Sequence, residues 1–110
     1  MCIEELLGEP SEERLWQAVI EFQNYPFTTF SGLFYTYQLK VGKNGSYNKE
    51  ILISRRRQSK SLTWSSVRLA FEGALRRKGE VIEKPKALGD IRGISYIYPI
   101  FVRFGLIQTK

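Results

Sequence analysis

The chain has 110 residues, of which 43% are hydrophobic and 14% aromatic, enough for one domain, residues 1–110, around a single core. It has no histidine, one cysteine (Cys2) and one aspartate (Asp90). Those absences exclude an internal disulfide, a Ser-His-Asp or Cys-His nucleophile and a histidine-containing zinc site, so no enzyme activity, metal or cofactor is expected.

The formal charge of +6 is unevenly spread. Residues 1–50 hold 4 Lys/Arg against 7 Asp/Glu, and residues 51–110 hold 13 against 4. A basic half of this kind points to a polyanionic partner. No apolar run reaches the roughly 18 to 20 residues needed to span a bilayer, so no membrane partner is expected. The acidic start lacks the basic and apolar blocks of a secretion signal, and the expectation is a cytoplasmic protein.

Along the chain, residues 1–10 read as a short helix or a flexible, frayed arm interrupted by Gly8, Glu9 and Pro10. Ser11 or Glu9 opens a helix with Glu12 and Glu13 in its first turn and an apolar stripe of Leu15, Trp16, Val19, Ile20 and Phe22. It is expected to run to about Asn24, before Tyr25-Pro26. From Leu33 the period changes to two, with Leu33, Tyr35, Tyr37, Leu39 and Val41 on one face. Asn44-Gly45 supplies a turn and residues 50–54 the return strand, which makes an antiparallel β-hairpin. Lys40, Lys43 and Lys49 gather near its tip.

Residues 54–79 form the centre of the reading. Arg55, Arg56, Arg57 and Lys60 lead into a long amphipathic helix over residues 63–78, with Trp64, Val67, Phe71, Ala74 and Leu75 on one face. Thr63 is the expected N-cap, Leu62 and Val67 have the spacing of a hydrophobic staple, and Gly79 is a left-handed stop. Glu72 has the spacing to pair with Arg68 or Arg76. A triple arginine just before a helix N-terminus is disfavoured by the helix dipole unless an anion arrives there, and phosphate is the usual anion.

Pro85 opens a short helical turn through Leu88, and Gly89 and Gly93 bracket a tight connection. Residues 94–104 have two readings. One is a helix over residues 96–104, capped by Ser95, with Pro99 in its first turn and closed by Gly105. The other is an edge strand rich in β-branched and aromatic residues. The helical reading makes the C-terminal element compatible with a helix-turn-helix.

The expected fold is therefore α+β in a single compact domain. The expected function is binding of nucleic acid, DNA ahead of RNA, by a basic loop at a helix N-terminus. Arg55, Arg56, Arg57 and Lys60 would meet phosphates, helped by the N–H groups from Thr63 through Ser65 to Ser66. Arg92, Ser95, Tyr96 and Arg103 are the candidates for base contacts. The alternative is a non-catalytic interaction module whose partner is a second copy of the chain or another protein.

Overall fold

The computed structural model describes residues 2–55 and 59–109. Among them it has an α+β fold, in the order α1 (Cys2–Gly8), α2 (Glu12–Glu21), β1 (Phe27–Thr28), β2 (Phe34–Val41), β3 (Tyr47–Arg55), β4 (Ser59–Thr63), α3 (Trp64–Arg76), a 3-10 turn (Pro85–Leu88) and α4 (Ile94–Phe104). The four strands form one antiparallel sheet in sequence order. No helix of the described residues is long and apolar enough to cross a membrane.

The β2–β3 hairpin follows the expected alternation. Tyr35, Tyr37 and Leu39 of β2 face inward beside Ile53 and Ile51 of β3, with Tyr37 paired to Ile53 and Leu39 to Ile51. The period fails at its ends, where Leu33 and Val41 are exposed, and the register shifts between Leu39 and Val41. The outer face carries Phe34, Gln38 and Lys40 of β2 and Ser54 of β3, all exposed.

Two strands were not evident from local pattern. β1 is only two residues long and pairs Phe27 with Tyr35. Its path continues residues 23–24, where Asn24 N–H donates to the Tyr37 carbonyl (2.8 Å) and Leu39 N–H to Gln23 Oε1 (2.9 Å). β4 is the larger surprise, because SKSLT has little β-propensity. Its only fully inward apolar residue is Leu62, which pairs with Ile51, while Lys60 pairs with Ile53. Pairing with β3 makes it a strand, which a single-sequence window cannot register.

α1 is helical over Cys2–Gly8, and its Leu6 is fully buried. Ser11 caps α2 as expected, accepting from Arg14 N–H (3.2 Å), and the helix stops at Glu21. α3 buries Trp64, Val67, Ala70, Phe71, Gly73 and Ala74. Thr63 precedes it without a side-chain cap bond, whereas the expected staple residues, Leu62 and Val67, are both buried. Among the described residues, Glu72 forms no ion pair with Arg68 or Arg76.

The C-terminal element is helical, and it is the centre of the core. α4 buries Ile94, Tyr96, Ile97, Tyr98, Ile100, Phe101 and Phe104. Its ring contacts reach Tyr35 of β2 (5.2 Å), Phe71 of α3 (6.5 Å) and Phe22 at the end of α2 (5.0 Å). The order of short turn, glycine connection and helix is the expected one. A helix buried on most sides, however, leaves only the stripe of Ser95, Pro99, Val102 and Arg103 open, too little to lay in a DNA groove. The cap is Gly93, not Ser95: Gly93 takes φ +79° and α4 starts at Ile94. Pro99 is therefore the sixth helical residue and lies beyond the first turn. It cannot supply the N–H that the Ser95 carbonyl would otherwise accept.

Gly93 is required twice over, by its positive φ and because a Cβ there would lie 2.1 Å from Leu62 Cδ2. Gly93→Ala is expected to destabilise the fold by about 1–3 kcal/mol, measured by urea denaturation. An unchanged midpoint would contradict this account of the α4 entry.

Candidate functional site

Arg55 ends β3 and Lys60 lies near the start of β4. Both alternate onto the inner face of the sheet, but beyond the last apolar pair, where the first turn of α4 comes underneath. There they meet Tyr96. Arg55 Nη1 donates to Tyr96 Oη, its guanidinium carbon is 5.6 Å from the Tyr96 ring centroid, and Lys60 Nζ is also 5.6 Å from it. Both cations are attracted by the quadrupole of the one ring. Tyr96 is itself fixed by Tyr35, whose Oη donates to the Tyr96 carbonyl (2.6 Å) and whose ring meets it edge to face.

Beside this cluster a groove runs along α4. One lobe, about 450 Å³, is lined by Lys60, Lys84, Lys86, Asp90, Ser95 and Phe30 among others. A second lobe, about 660 Å³, is mainly apolar, with Tyr25, Phe27, Phe30, Pro99, Val102 and Arg103 in its wall. Phe30 and Lys84 line both, so they stand where the lobes meet. The groove has four cations, Lys60, Lys84, Lys86 and Arg103, against two carboxylates, Glu83 and Asp90. Among the described residues, no carboxylate lies within ion-pair distance of Lys60, Lys84 or Lys86.

The predicted site residues separate into groups. Arg55, Lys60, Ser95 and Tyr96 come together at the first turn of α4. Tyr96, however, is only 5% exposed, so it orients the cations and is closed to a base. Ser95 is exposed and lines the groove, whereas Arg92 is exposed but does not line it. Arg103 is two helical turns from Tyr96, at the far end of the apolar lobe, with Nε donating to Tyr25 Oη (3.0 Å) and its guanidinium over Phe22 (5.0 Å). Arg56 and Arg57 lie outside the described residues.

Thr63 and Ser65 are not part of this cluster. β4 carries the chain three residues from Lys60 to Thr63, roughly 10 Å of strand, before α3 begins. Arg55 and Lys60 therefore do not sit at the N-terminus of α3, and the helix they adjoin is α4. The hairpin lysines disperse as well. Lys40 pairs with Glu50 on the outer face (3.7 Å), and Lys49 turns inward over Trp16 (5.4 Å) and Trp64 (5.3 Å).

Sequence reasoning passed over Phe30, Lys84 and Lys86. The signals were a phenylalanine inside a turn-forming TFSG stretch and two lysines flanking Pro85. In comparisons with protein-family models, curated proteins and solved structures, none matches the chain.

The tyrosines that hold α4 in place remain neutral in the fold. Burial, then the nearby Tyr37 and Tyr96 hydroxyls, push the Tyr35 phenol far above its ordinary value of 10.0. Burial and then Glu83 raise Tyr98, which donates to the Ile82 carbonyl. A raised folded value means that this stability is intact below pH 10.0 and lost as pH rises from there towards the folded value. Tyr35→Phe is expected to cost about 1 kcal/mol at neutral pH. Its deficit relative to the wild type should narrow above pH 10.0 in urea titrations across pH; a constant deficit would contradict the assignment.

Proposed function

We propose that this protein binds nucleic acid, DNA ahead of RNA, through the basic end of its sheet and the adjoining groove. One observation carries this reading: Arg55, Lys60, Lys84 and Lys86 come from separate parts of the chain yet converge at the first turn of α4. Gathering like charges is unfavourable unless a polyanion relieves it, and the start of α4 adds the positive end of a helix dipole. Lys60, Lys84 and Lys86 contact phosphates, and Arg55, tied to Tyr96, sets the position of the cluster.

Ser95 belongs to this surface as part of the groove lining, and Arg92, exposed two residues before α4, extends it. Sequence reading is not expected from α4, whose inner residues are buried; any preference would come from the groove walls. The exposed apolar ring of Phe30 also suits a protein partner, which makes a docking module the second reading.

The two readings separate by salt. Binding of fluorescein-labelled DNA, followed by anisotropy, should weaken linearly in log–log form as salt rises. The charge reversals Lys60→Glu and Lys84→Glu should each reduce the magnitude of that slope by about 0.7–0.9. Failure to bind DNA or RNA at low salt would overturn the proposal and favour the docking module.

A further inference from the structure

We infer that the nucleic acid is held as a single strand, with an unpaired base lying against Phe30 in the groove along α4. This inference rests on the polyanion reading above and specifies the form of the polyanion. Phe30 is 65% exposed, unusual for so large an apolar ring in a well-tied turn. The turn is closed by Thr29 N–H to the Leu33 carbonyl (2.9 Å), Gly32 N–H to the Thr29 carbonyl (2.9 Å) and Leu33 N–H to Thr29 Oγ1 (2.9 Å). Gly32 supplies the positive φ of +93° that it needs. The ring is thus presented on a preorganised support, which lowers the ordering cost of binding.

The chemistry on either side of Phe30 differs in the way the parts of a nucleotide differ. On one side Lys60, Lys84 and Lys86 suit a phosphate. On the other, Tyr25, Phe27, Pro99 and Val102 form an apolar wall that a phosphate would leave poorly solvated but a base can occupy. Arg103 at the far end offers a second cation one lobe away. A duplex keeps its bases stacked inside and has no unpaired ring to place on Phe30. Stacking on an aromatic ring tolerates any base, so this mode gives affinity with weak sequence preference.

The test compares a labelled oligothymidylate strand with a labelled, blunt-ended mixed-sequence DNA duplex by anisotropy at one low salt concentration. The wild type should prefer the single strand. Phe30→Ala should weaken single-strand binding by about tenfold and leave duplex binding unchanged, while Phe30→Trp should retain the preference. Circular dichroism of both variants checks that the fold is intact, as expected for an exposed position. If Phe30→Ala binds the single strand like the wild type while Lys60→Glu weakens it, the inference is wrong and the polyanion reading stands. If the wild type binds neither probe, the polyanion reading fails and the inference with it.

Discussion

The hydrogen bond from Tyr35 to the Tyr96 carbonyl ties the sheet to α4, and the basic end of the molecule is arranged around that joint. Tyr35 is buried and neutral, so the bond forms in a dry setting where a misplaced partner would be costly. Once the first turn of α4 is fixed below the ends of β3 and β4, the Tyr96 ring lies beneath Arg55 and Lys60. The two cations then have a defined position although they belong to long, flexible side chains. Tyr37, on the same inner face, makes the corresponding tie to α2, donating to the Val19 carbonyl (2.6 Å).

Burying α4 decides which of its residues remain available. Ser95, Pro99, Val102 and Arg103 recur at steps of three and four and form the stripe that faces the groove. The opposite wall comes from residues 25–31, held to β2 by the short β1 pairing, and from residues 83–86. Groove and cation cluster are therefore products of one packing arrangement. A change that shifts α4 moves both, which is why Gly93, at the edge of the basic lobe where α4 enters beneath Leu62, matters to the whole groove.

Much of the architecture was legible because it rests on periodicity. The stripe of Val67, Phe71 and Ala74 specified α3, and the alternation of Tyr35, Tyr37 and Leu39 specified β2. β4 was not legible: its identity comes from pairing with β3, and without that strand Arg55 and Lys60 read as neighbours of α3 instead of α4. Lys49 shows the same limit, since its position over two tryptophans depends on helices distant in sequence. For α4, Ser95 looked the stronger cap by side-chain chemistry, yet a left-handed Gly93 was what the close approach to Leu62 allowed. The site was half legible. Arg55 and Lys60 were identifiable from charge, whereas the role of Tyr96 changed because its burial is a tertiary property.

The most direct measurement is a map of backbone amide shifts by nuclear magnetic resonance as a short single-stranded DNA is titrated into the protein. The account predicts that the largest changes cluster at Phe30, Lys60, Lys84 and Ser95, with α3 and the β2–β3 turn little affected. Changes centred on the N-terminus of α3 or on Lys43, with the α4 groove silent, would contradict it.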